Sequence, residues 1–187
     1  MRDVTLTIGP RGAGKTTFCE RALALDPELV LVSRDAVLME IFGQTSLNPY
    51  EGGHRIGLEK MWNLVEKHLE PENARILLDC WNGWALERSE LTDKLREMGA
   101  ERIIGWHFAT SEETCIKWFL ERERRNEEEK IDKWWEQSRI ASCRSDYRLF
   151  HSQAVTLEQG FDEIIRIDPD ILGPEHVLRL QTNLDFG

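Results

Sequence analysis

No stretch of the chain approaches eighteen consecutive apolar residues, and a shorter run cannot carry a helix across a bilayer, so no membrane span is expected. Positive charge is also scarce. Twenty-four Lys and Arg stand against 34 Asp and Glu, a formal net charge of −10. Such a surface repels nucleic acid at long range, which argues against a broad nucleic-acid face and leaves room only for a local basic cleft. Paired cysteines are missing. Cys19, Cys80, Cys115 and Cys143 form no C-x-x-C pair and no Cys/His cluster with zinc spacing. Reduced, structural thiols and a cytoplasmic setting are therefore expected. Internal repeats, low-complexity tracts and clear linkers are lacking too. The opening "MRDVTLTIGP" reaches a glycine too soon for a secretory leader and reads as a strand.

What is there suits one ordinary α/β domain over residues 1–187. The chain is 41% hydrophobic and 31% charged, enough to bury a core. "VTLTI" is a β-branched strand, followed by helical "KTTFCERALAL", which Pro27 ends. "ELVLVSRD" is a second strand and "AVLMEIFG" a helix up to Gly43. "QTSLNPYEGGH" is a loop, and "RIGLEKMWNLVEKHLE" an amphipathic helix. "ARILLDCWNG", "RIIGWHF" and "FDEIIRI" supply three further strands. Between them lie "ALERSELTDKLREMG" and a long charged helical region from Ser111, with a break near Asn126 as an alternative to one continuous helix. Strands alternating with helices predict a five-stranded parallel sheet with helices on both faces. In such sheets ligands bind at the strand C-termini.

The residues singled out for chemistry follow strand ends. "GPRGAGKT" fits G-x-x-x-x-G-K-[ST], the phosphate-binding loop. Phosphates need several converging backbone N–H groups, which glycines permit, and the following helix points its positive end at the anion. Gly9, Arg11, Gly12, Ala13, Gly14, Lys15, Thr16 and Thr17 are the expected nucleotide-binding residues. Lys15 would reach the β- and γ-phosphates and the Thr16 hydroxyl a Mg²⁺. The loop implies ATP or another nucleoside triphosphate and leaves the fate of the γ-phosphate open.

Asp79 ends the third strand, where a carboxylate can hold the Mg²⁺ hydration shell or simply cap a helix. Asp35 lies twenty residues after Lys15. It can accept the proton of an attacking hydroxyl, or serve as the N-cap of "AVLMEIFG". In "LERERRNEEEK", Arg122 and Arg125 are the favoured candidates to stabilise transferring charge. The alternative is a solvated face in which arginines pair with the neighbouring glutamates. Trp81 and Trp84 can stack on a base or sugar, with core packing as the plainer role; His54 and Arg55 can rim the same cleft.

With these residues placed, the chain resembles the small AAA-type P-loop kinases of the polynucleotide 5′-hydroxyl kinase kind and their small-molecule relatives. "GPRGAGKTT", "VSRD", "LLDCWNG" with Arg88 after it, "LERERRN" and "GFDEIIRID" run in that family's order from Met1 to about Asp168. The resemblance implies a P-loop kinase fold with a helical lid at about residues 111–145. It implies transfer of the γ-phosphate of ATP, with Mg²⁺, to an acceptor hydroxyl on a nucleic-acid end or a small molecule. It makes Asp35 the general base and Lys15 with Arg122 or Arg125 the groups on the transferred phosphate. Arg34, Asn82 and Arg88 become acceptor-side candidates. Two departures stand out: Leu38 replaces an arginine three residues after the base, and Asn82 comes three rather than two residues after Asp79. A nucleotide-dependent ATPase or switch acting on a protein partner is the reading of another class.

Overall fold

The computed structural model describes residues 1–45, 52–126 and 133–183. Five strands form one sheet: β1 (Asp3–Ile8), β2 (Val30–Ser33), β3 (Arg75–Asp79), β4 (Arg102–Phe108) and β5 (Glu163–Ile167), in the order β2-β3-β1-β4-β5. All four pairings are parallel, so every strand delivers its following loop to the same edge. The helices are α1 (Lys15–Leu25), α2 (Arg34–Phe42), α3 (Gly53–Leu69), α4 (Ala85–Glu97), α5 (Glu112–Asn126), α6 (Lys133–Ser152) and α7 (Pro174–Asn183).

The period-2 alternation of the strands divides the core in two. Val4, Leu6, Ile8, Ile76 and Leu78 face α3 through Met61, Trp62 and Val65. Leu77, Ile104, Trp106, Phe108 and Ile165 face the other way, against Phe18 and Ala22 of α1, Phe119 of α5 and Val177 of α7. Phe18 meets Trp106 and Phe108 edge to face, each at 5.4 Å, the arrangement that ring quadrupoles favour. Strands covered on both faces need apolar residues at every position, which explains the unbroken run "ILL" in β3.

Two boundaries differ from expectation. α2 begins at Arg34, directly after β2, because the Ser33 hydroxyl accepts from Ala36 N at 3.3 Å and caps it. β5 begins at Glu163 rather than Phe161. Phe161 packs into the core, and the Asp162 carboxylate instead accepts from Ile103 N at 2.6 Å. α5 is described as far as Asn126; the alternatives of a break there or one continuous helix fall on residues 127–132, which lie outside the described residues.

The four cysteines are free. Burial pushes the Cys80 and Cys115 thiols up to about 12 and that of Cys143 to about 11, which leaves them protonated and unreactive. Among the described residues, no helix is long and apolar enough to cross a membrane.

Candidate active site

The loops at the strand C-termini enclose a cleft of about 1080 Å³. Its floor is the glycine loop after β1. Gly12 and Gly14 lie at φ 75° and 86°, where an L side chain is strained. Gly12 is fixed twice over, since a Cβ there would stand 2.1 Å from the Cys115 carbonyl oxygen of α5. α1 starts at Lys15 with no side-chain cap and no acid in its first turn. Its orphan N–H groups and positive dipole end therefore open onto the cleft, ready for an anion. Lys15 Nζ folds back to donate to the carbonyls of Gly9 (2.8 Å) and Pro10 (3.1 Å). Burial draws its pKa down, and Asp79 opposes that shift.

Thr16, Thr17 and Asp79 line the same cleft. Asp79 is oriented by Thr7, whose hydroxyl donates to Oδ1 at 2.6 Å. Thr7 was not among the expected site residues. Its only signal is a hydroxyl within the apolar run of β1, on a fully buried residue. A hydroxyl and a carboxylate beside a phosphate loop are hard oxygen donors that fit Mg²⁺. Among the described residues, no group of three His, Cys, Asp or Glu forms a self-sufficient metal centre. A Mg²⁺ held here would also need oxygens from the nucleotide.

Asp35 stands on the adjoining wall, and the capping alternative does not describe it: Ser33 is the cap, and the Asp35 side chain is 67% exposed. Arg34 lies beside it, donating to Asp35 Oδ1 at 3.4 Å and facing His54 Nδ1 at 2.9 Å; both Arg34 and His54 line the cleft. Arg55 instead pairs with Glu59 at 2.6 Å on the exposed side of α3.

The roof comes from α5 and α6. Arg122 and Arg125 both line the cleft, whereas Arg124 turns away to Glu136 at 3.1 Å. Helical geometry separates them: Arg122 and Arg125 are three residues apart on one face, with Arg124 beside it. Arg122 lies over the Phe119 ring at 5.3 Å. Arg139 of α6 joins them in the lining, and Glu123 sits between Arg122 (3.3 Å) and Arg139 (3.7 Å). Arg139 was missed because it falls one helix later than the arginine-rich run. Arg11 is tied to the roof: its guanidinium bonds to Asp146 and donates to Ser142 Oγ at 3.0 Å. Two of its five donors are thus spent on the roof.

Two acceptor-side expectations need correcting. Asn82 is 1% exposed and Arg88 is fully buried, and neither lines the cleft. Asn82 turns inward, donating to the carbonyls of Thr7 (2.7 Å) and Cys80 (3.1 Å). Arg88 spends its donors on Gln159 Oε1 and on the carbonyls of Asn82, Gly83, Gln153 and Ala154. Five bonded acceptors leave no donor for a substrate. Trp81, however, lines the cleft with 42% exposure, while Trp84 lies outside it. Leu38, where the resemblance expected an arginine, is fully buried.

Comparison with known proteins agrees with this geometry. The family model described as "AAA domain" matches residues 4–140. No curated protein matches the sequence. Among solved structures, a putative kinase from Chloroflexus aurantiacus J-10-fl superposes with a TM-score of 0.68 at 16% identity, over 100% of this chain and 97% of that one. A chain of the Pnkp1/Rnl/Hen1 RNA repair complex gives a TM-score of 0.60 at 18% identity, over 79% of this chain and 45% of that chain. The present chain thus spans less than half the length of that RNA-repair chain. Shikimate kinase from Acinetobacter baumannii, in complex with shikimate, gives a TM-score of 0.56 at 16% identity, over 100% and 96% of the two chains. With a matching family model over most of its length and solved kinases that superpose on the whole chain, the chain belongs to the AAA domain family and has the fold of the P-loop kinases.

Proposed function

We propose that the protein is an ATP-dependent phosphotransferase that moves the γ-phosphate to an acceptor hydroxyl, with Asp35 as general base. The observation that carries this reading is the state of Asp35. Its carboxylate is released from capping by Ser33 and exposed in the cleft that the glycine loop floors.

In the reaction, the acceptor oxygen attacks the γ-phosphorus as the bond to the ADP oxygen breaks. Asp35 takes the hydroxyl proton and ADP leaves. The loop N–H groups and Lys15 hold the phosphates. Arg122 and Arg125, with Arg139 beside them, meet the charge that spreads over the γ-oxygens. Thr16 and Asp79 would hold Mg²⁺, which neutralises phosphate charge.

A polynucleotide 5′-hydroxyl is the first acceptor to test, supported by the likeness to the RNA-repair chain. A small-molecule hydroxyl is the second. It is supported by the likeness to shikimate kinase and by Leu38, which adds packing rather than a charge beside the base. The test is a γ-labelled ATP screen over 5′-hydroxyl oligonucleotides, nucleosides and common sugars. Label is expected in one acceptor class. Label found only as inorganic phosphate across the whole screen would contradict the proposal.

A further inference from the structure

Trp81 is an unusual residue to leave uncovered. Ser33 and Asp79 are register partners on β2 and β3, so Asp35 and Trp81 each lie two residues beyond a paired position. Both line the one cleft. The indole is 42% exposed, yet it is not loose. Phe150 of α6 meets it edge to face at 5.3 Å and 82°. The indole also lies close to Gly83, where a Cβ would stand 2.9 Å from Cζ2 of Trp81 and 3.0 Å from Leu149 Cδ2. Any side chain at position 83 would push the ring aside. The neighbouring residues support the same orientation: Asn82 anchors the segment on Thr7 and Cys80, and Arg88 holds the carbonyls of Asn82 and Gly83. A large aromatic surface thus faces the cleft with its rotamer fixed before any ligand arrives.

We propose that Trp81 is a stacking platform that determines acceptor specificity. It receives a planar heteroaromatic ring carried by the acceptor, and so sets the attached hydroxyl at Asp35. A fixed ring loses little conformational freedom on binding, and ring stacking tolerates any base because each has a π-face. A polyol or small sugar without such a ring gains less from Trp81. The inference rests on the phosphotransfer reading above and narrows its acceptor to one bearing a nucleobase-like ring. Arg34 and His54, which line the same cleft, supply the polar contacts.

The test compares wild type with Trp81→Phe, Trp81→Leu and Trp81→Ala in steady-state transfer from ATP. The acceptors are a 5′-hydroxyl oligonucleotide, the same oligonucleotide abasic at its 5′ residue, and a free nucleoside. The oligonucleotide and nucleoside arms distinguish the two sources of a base. For whichever is phosphorylated, Trp81→Ala and Trp81→Leu should raise acceptor KM about tenfold or more. Trp81→Phe should restore most of it. The KM for ATP should not move, and the abasic acceptor should start weak and be indifferent to the substitution. Equal losses on base-bearing and abasic acceptors, leucine rescuing as well as phenylalanine, or wild type labelling only ring-less acceptors would each overturn the platform. Those results would leave phosphotransfer standing. ATP hydrolysis with no label in these acceptors or in the sugars of the wider screen would overturn both.

Discussion

Arg88 and Asp35 show how far a residue's chemistry depends on where its neighbours put it. Both are charged side chains near the start of a helix that follows a strand. Asp35 stays out of capping because Ser33 does that work, and it accepts from Arg34 at 3.4 Å at the cleft. Arg88 is consumed because the turn after β3 and the segment before the 3₁₀ turn at Leu157–Gln159 present four carbonyls, and Gln159 of that turn an amide oxygen, to one buried guanidinium. Replacing it with Arg88→Met keeps much of the volume and strands those acceptors. The expected cost is about 3–5 kcal/mol, read as a lower urea midpoint. The KM for acceptor should be unchanged in the fraction that remains folded. A rise in acceptor KM without a loss of stability would return Arg88 to the substrate side. Sequence alone could not decide between these fates. The motif spacing that marks Lys15 and Thr16 reports local chain geometry, whereas the burial of Arg88 depends on Gln153, Ala154 and Gln159, more than sixty residues away.

At the scale of elements, the strands and helices were largely legible because their periodicity is a local property. α1 falls where "KTTFCERALAL" predicts, and β3 and β4 end where their apolar runs end. Pairings are different: nothing in "RIIGWHF" or "EIIRI" reveals that His107 sits opposite Arg166 across the β4–β5 pair. That placement has a consequence. Burial first, then the charges of Arg166, His151 and Arg88, lower the His107 pKa from 6.5 to about 4. The unfolded chain therefore takes up its proton before the folded one does. Stability is full above about pH 6.5 and falls as the pH drops toward 4, by on the order of 2 kcal/mol after allowance for the partial exposure of the ring. His107→Gln should flatten this part of a pH series of urea midpoints. An unaltered slope would show that other groups govern it.

Across the whole molecule, the glycine loop is joined to the roof. Arg11 reaches from the loop to Asp146 and Ser142 on α6, and its guanidinium lies 5.5 Å from the centre of the Phe119 ring of α5. The floor that holds phosphates and the helices that carry Arg122, Arg125 and Arg139 are thereby one connected unit. Asp146→Ala should cost about 1 kcal/mol, because the Arg11 side chain is partly exposed. It should also speed amide exchange around Ser142 in α6 while leaving the core strands protected. Uniform exchange in the variant and wild type would mean that the contact does not hold the roof. The resemblance implied a helical lid at about residues 111–145 and said nothing of what ties it to the loop. The tether itself joins residues 135 apart in sequence, which no spacing rule could reveal.

The most direct test of the central claim is transfer of γ-label from ATP to an acceptor hydroxyl by wild type and by Asp35→Asn, measured alongside ATP binding. The substitution is expected to lower transfer by at least about a hundredfold and to leave ATP affinity within about twofold. Equal rates of phosphate release from both proteins, with no label in any acceptor, would contradict it.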